Sequence, residues 1–149
     1  LAEIQPAQLR VAARMPAHLE PRIDGVKVII AVGTSKTELI LEPVVEAHEL
    51  DALSRFKRPG MRLWSYHLSP NDSARLKQVI ATFNGSGQHQ VSIAAGVEAC
   101  RRGALGAQPL PTTTFLRTDA TGFMVLAEDL DLRSVVSERE LLAKVPPCP

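Results

Sequence analysis

The chain has 149 residues, 45% hydrophobic and 22% charged, which is enough apolar content for one buried core and too much for a disordered segment. Its 17 Lys and Arg stand against 16 Asp and Glu, and the net charge of +1 argues against a broad electrostatic footprint for nucleic acid or an anionic membrane. No apolar run approaches the roughly 20 residues that span a bilayer, so no membrane span is expected.

Leu9, Val11, Ala13 and Met15 alternate with Arg10 and Arg14, a period of two that predicts a half-buried strand ended by Pro16. Near the N-terminus and flanked by prolines, it is expected at a sheet edge, open to a partner. Pro16 and Pro21 bracket a stretch expected to be irregular. The β-branched run 26–32 and the segment 37–42, joined across Gly33-Thr34-Ser35-Lys36, predict a hairpin. A helix is expected from Val45 to Lys57, stopped by Arg58-Pro59-Gly60, and a strand from Met61 to Leu68.

Ser69 followed by Pro70 and Asp72 is a strong helix start, and Leu76, Val79, Ile80 and Phe83 recur at the spacing of a core-facing stripe. Asn84-Gly85 is expected to stop that helix. The same residues contain two N-x-S triplets, at Asn71 and Asn84, which read as helix-end chemistry. Val91, Ile93 and Ala95 predict a strand leading to Cys100, residues 101–111 a loop, and 112–118 with 122–127 a second hairpin. Ser137 and Glu140 open a last helix with Leu141, Leu142 and Val145 on its apolar side. About seven strands dominated by hairpins, with two or three helices, predict one α+β domain over residues 1–149, its sheet mainly antiparallel.

Cys100 and Cys148 are the only cysteines, and Cys148 lies in the Pro-rich tail 146–149, which cannot continue a helix. Two readings are open: a disulfide tying the tail back across roughly 50 residues, or two reduced thiols in a cytoplasmic protein. A bridge would imply export to an oxidising compartment, periplasmic or extracellular. The chain opens on Leu1 rather than Met, which fits a processed product or an excised fragment.

Catalytic signatures are missing. Gly85-Ser86-Gly87 follows a helix, where a nucleophile elbow needs a strand before its serine. Gly33-Thr34-Ser35-Lys36 lacks the earlier glycine of a phosphate loop. His18, His48, His67 and His89 form no local pair, and His48-Glu49 has Ala52 where a second zinc ligand would stand. Glu128, Asp129 and Asp131 read as a solvated turn without the pattern of a calcium loop. Arg55, Lys57, Arg58 and Arg62, with Arg101 and Arg102, would make an anion patch only if the fold gathered them. Trp64 and Tyr66 share a face and read as core or interface anchors rather than as a base-stacking platform.

The expectation is therefore a non-enzymatic exported module, a structural or interaction component of a bacterial cell-envelope assembly, acting through a protein partner or self-association. Its candidate contact residues are Leu9, Val11, Ala13, Met15, Trp64 and Tyr66. No cofactor, metal or nucleic acid is called for, and the bacterial assignment follows an Ala- and Arg-rich composition. The alternative is a small-ligand or metal-binding domain, or a hydrolase, with a site assembled from the distant residues His67, Tyr66, Asp129, Asp131 and Arg62.

Overall fold

A computed structural model describes residues 4–87 and 90–149, with Ser86 described by its backbone alone. Leu1 and His89 lie outside the described residues. The strands are β1 (Arg10–Pro16), β2 (Leu19–Val32), β3 (Ser35–Ile40), β4 (Glu42–Pro43), β5 (Met61–His67), β6 (Val91–Arg101), β7 (Pro111–Arg117) and β8 (Met124–Asp131). The helices are α1 (Ala47–Asp51), α2 (Pro70–Ser86), α3 (Leu132–Val135) and α4 (Glu138–Lys144). One sheet has the order β4-β5-β1-β7-β8 and the other β3-β2-β6, and every named pair of strands is antiparallel. The fold is thus α+β with antiparallel sheets. Among the described residues no helix is long and apolar enough to cross a membrane.

The main core lies between the sheets. Val11, Tyr66 and Leu116 face Val28, Ile30 and Leu39 across it, and Leu76 of α2 closes one side. A second core gathers Ala13, Met15, Leu19, Leu110, Leu141 and Val145 under the C-terminal helices. A third, on the outer face of the five-stranded sheet, holds Ala12 and Phe115 against Leu53.

These three cores correct the placement of β1. It is the middle strand, paired to β5 on one side and β7 on the other, so it offers no free edge. Leu9, Val11, Ala13 and Met15 are buried, and so are Ala12 and Arg14 on the opposite face. The alternation is real, but its polar side is covered as well: Phe56 and Leu63 pack over Ala12, and Arg14 satisfies its charge internally.

Two further expectations are corrected. Residues 16–21 are not irregular: Ala17-His18 make a tight turn and β2 runs straight through Pro21. There β2 pairs with β6 alone, since β3 joins only from Lys27, and a strand with one neighbour tolerates a residue lacking its N–H. The bend comes later, where the register shifts between Pro21 and Val26, Asp24 takes a positive φ of 58° and a Cβ on Gly25 would meet the Glu98 carbonyl oxygen at 2.9 Å. The helix expected over 45–57 shrinks to α1 and a single 3-10 turn at Ser54–Phe56. Glu46 supplies no capping bond and α1 buries no side chain, so neither cap nor core lengthens it.

α2 starts as predicted, the Ser69 hydroxyl accepting the Asp72 N–H at 3.1 Å with Pro70 in the first turn. It continues past Asn84-Gly85 and stops at Gly87, whose φ of 73° supplies the left-handed cap.

Candidate interaction site

β8 is the far edge of the five-stranded sheet, and among the described residues only β7 pairs with it. An edge strand presents a row of unpaired N–H and C=O groups, and proteins blunt such rows by shortening or charging them. The other edges here are managed that way. β4 is two residues long and ends in Pro43, β3 exposes Lys36 and Glu38 beside a single large apolar residue, Ile40, and β6 shows small or polar side chains such as Ser92, Ala94 and Glu98. β8 differs: Met124 is 51% exposed, Val125 48%, Leu126 42% and Leu130 43%. Four large apolar side chains are thus exposed along one open edge, Val125 on the face of Phe115 and Met124 and Leu130 on the face of Leu116 and Thr112, and exposed apolar surface of this kind marks a contact site.

Hydrogen bonds anchor the strand at both ends. The turn before it is fixed by the Asp119 carboxylate accepting the Thr121 N–H at 2.8 Å, with Gly122 at a φ of 134°. The Thr121 hydroxyl also bonds Asp119, and that bond, followed by the backbone one, holds the Asp119 carboxyl below the usual range. At the other end β8 bulges. Asp129 adopts a φ of 47°, its N–H donating to the Thr113 hydroxyl at 2.9 Å, and the register with β7 shifts there. Asp131 then accepts from the N–H groups of Leu110 at 2.9 Å and Arg133 at 3.0 Å, which lower its carboxyl and start α3.

A cleft of about 500 Å³ opens between the two sheets on the side of the C-terminal helices. Met15 and Thr112 come from the inner face of one sheet, Val97 and Ala99 from the other, and Leu132, Leu141 and Val145 from the C-terminal helices. The wall carrying α4 is covalently fixed. The Cys100–Cys148 disulfide joins the tail to β6, with Cα atoms 4.9 Å apart. Backbone bonds reinforce it, from Arg101 N to Pro146 O and from Cys148 N to Arg101 O, each 2.9 Å. Of the two readings open for the cysteines, the bridged one is found.

Beside the bridge, Arg102 pairs with Glu20 and reaches the Pro149 carbonyl oxygen at 3.3 Å. Glu20, Cys100 and Cys148 form the one group of three metal-ligating side chains among the described residues, their ligand atoms within 4.8 Å. Both sulfurs are consumed in the disulfide, so the group offers no thiolate to a metal.

The residues of the assembled-site alternative do not meet. His67 stands in register with Arg10 and Glu42, whereas Asp129 contacts Arg14, four residues further along β1, or roughly 13 Å. Asp131 is occupied in capping, and Arg62 lies over the Trp64 ring at 4.3 Å. The basic residues are dispersed too: Arg55 covers Phe56, Arg58 pairs with Asp129, and Arg102 with Glu20. His48 sits in α1 beside Glu49, whose carboxyl is lowered by the hydrogen bond from Arg10 at 2.7 Å. His18 turns its Nε2 into the interior, where that atom has no hydrogen-bond partner among the described residues.

Trp64 and Tyr66 serve the core, which corrects their placement at a contact surface. Trp64 is half-buried under Arg62, and Tyr66 is fully packed. Burial, followed by the Glu20 charge, pushes the Tyr66 phenol up to about 12. A raised folded value stabilises the protein fully below pH 10 or so, and that stabilisation is lost as pH rises through the folded value. Tyr66 is the only tyrosine, so ultraviolet titration of phenolate reports it alone. We expect a midpoint near 12 in the native protein and about 10 in denaturant; equal midpoints in the two states would contradict the packing.

Comparison of the chain with protein-family models, with curated proteins and with solved structures finds no match. The reading of the site rests on its own chemistry.

Proposed function

We propose that the protein is a non-enzymatic exported interaction module of the kind used in bacterial cell-envelope assemblies, and that it takes a partner's strand along the free edge of β8. The observation that carries this reading is the exposed apolar run Met124, Val125 and Leu126 on a strand with one neighbour. Main-chain bonds to the open edge would supply affinity, and the alternating side chains specificity. The disulfide supports export, because such bridges persist in oxidising compartments and are rare in a reducing cytosol. The partner is another protein or a second copy of the chain, joined edge to edge about a two-fold axis.

The test places a photo-crosslinking residue at Met124 or Leu130 in producing cells, with Arg75 on the exposed side of α2 as the control. A discrete protein adduct is expected from the β8 positions and not from α2, its mass telling a second copy from another partner. Val125→Lys should abolish the adduct while leaving the thermal midpoint nearly unchanged, since surface substitutions of this kind stay within about 0.5 kcal/mol. Adducts that form equally from α2, or that survive Val125→Lys, would remove β8 as the contact.

A further inference from the structure

The cleft between the sheets is independent of the β8 edge and has its own chemistry. Its lining is mostly carbon, from Met15, Val97, Leu132 and Leu141 among others, and its charged residues are Arg22, Glu98 and Lys144. Glu98 is already matched, by Arg22 at 3.6 Å and Lys27 at 3.8 Å. Lys144 has no ion pair or hydrogen bond among the described residues, which leaves one unspent positive charge on the rim of an apolar slot. A volume of about 500 Å³ falls in the lower half of the range for small-molecule sites, roughly 300–1,000 Å³. That is room for one hydrocarbon chain and too little for a two-chain lipid. The disulfide and the Arg101 backbone bonds fix the α4 wall, so the slot exists before anything enters it.

We infer that this cleft binds a single-chain carboxylate amphiphile, a free fatty acid, with its chain among the Val, Leu and Met side chains and its carboxylate at Lys144. A carboxylate head meets the exposed Lys144 ammonium at the rim, an attraction a neutral chain lacks, and a cationic amphiphile would be repelled by it. The binding is non-covalent and needs no partner protein, so it stands or falls separately from strand addition at β8.

The probe is dodecanoate, titrated into the intact oxidised protein below its micelle concentration. Trp64 is the only tryptophan and packs against the core behind the cleft, so its fluorescence reports binding. We expect saturation at one equivalent and an affinity that rises about fourfold per methylene from octanoate to dodecanoate. Two exposed positions test the location: Ala143→Phe fills the slot without adding a second indole and should abolish binding, and Lys144→Glu should weaken dodecanoate by about tenfold. Dodecyltrimethylammonium should bind weakly to the native protein and better to Lys144→Glu. The inference is overturned by failure to saturate, by undiminished binding in Ala143→Phe, or by equal affinity for the cationic amphiphile. Preferential capture on phosphatidylglycerol vesicles over dodecanoate would overturn the assignment to the free acid.

Discussion

Removing the disulfide by Cys100→Ala with Cys148→Ser lowers the free energy of unfolding by about 4 kcal/mol. The bridge spans a sequence separation of 48, and closing a loop of that length in the unfolded chain accounts for the figure on chain entropy. Cys100 is buried, so alanine is the replacement that adds no unpaired hydroxyl, whereas Cys148 tolerates serine at a half-buried position. The tail cannot compensate. Pro146, Pro147 and Pro149 have no N–H to donate, and apart from the side-chain bond of Arg102 it is held to β6 by the two backbone bonds at Arg101. Against the 5–15 kcal/mol of a typical domain the loss is large, and it appears in urea as a lower midpoint with a steeper slope, because the opened chain exposes more surface on unfolding. An unchanged midpoint would show that α4 holds its place through Leu141 and Val145 alone. The same comparison bears on location, since a protein that depends on this bridge folds poorly in a reducing cytosol.

The elements legible in the sequence are those whose signals are local. The Ser69-Pro70 start, the Ser137 cap bonding the Glu140 N–H at 3.2 Å, and the hairpin of β2 and β3 each depend on a few adjacent residues. The disulfide was only half legible: a cysteine among prolines suggested a tie to the domain, but two reduced thiols stood equally open until the fold brought Cys100 and Cys148 together. What failed was neighbourhood. Alternation at Leu9–Met15 identifies a strand but says nothing of how many neighbours it has, and Arg14 resembles a solvent residue until its acceptors are known. The β8 surface failed in the opposite sense. Phe123-Met124-Val125-Leu126-Ala127 is a continuous apolar run, the usual mark of a buried strand, so its composition points away from an edge. The cleft unites residues from β1, β6, β7 and the C-terminal helices, and no spacing could have joined them.

Thr113→Val costs about 3 kcal/mol although it changes neither shape nor volume. The Thr113 hydroxyl, buried beside Arg14, is the hub of a polar cluster that reaches the surface at Asp129. It accepts from Arg14 Nη2 at 3.2 Å and from the Asp129 N–H at 2.9 Å, and donates to Asp129 Oδ1 at 3.3 Å. Arg14 is 3% exposed, its other terminal nitrogen bonds the Phe56 carbonyl oxygen at 2.9 Å, and its nearest carboxylate oxygen lies 3.7 Å away on Asp129. Valine leaves two donors without their acceptor, one of them on a buried cation. Thr113→Ser keeps the hydroxyl and loses only a methyl group, a cost of about 1 kcal/mol. A serine variant as unstable as the valine one would assign the effect to packing instead. Acid titration separates these further. The hydrogen bond from Arg58, then its charge, then Thr113 and Arg14, hold the Asp129 carboxyl below its usual value. A lowered folded value gives stability that is present above about pH 4 and lost as pH falls through it. Acidification should narrow the gap between native protein and Thr113→Val only slightly, because the Arg14 and Asp129 N–H donors keep Thr113 as their acceptor and only its 3.3 Å bond to the Asp129 carboxylate weakens. The cluster also holds the second of the two irregularities in the pairing of β8 with β7, so a loosened hub should raise hydrogen exchange first at Ala127–Leu130, next to the exposed run at Met124–Leu126. Faster exchange throughout β7 and β8, with no gradient from the bulge, would show that Thr113 supports the sheet as a whole rather than the shape of its edge.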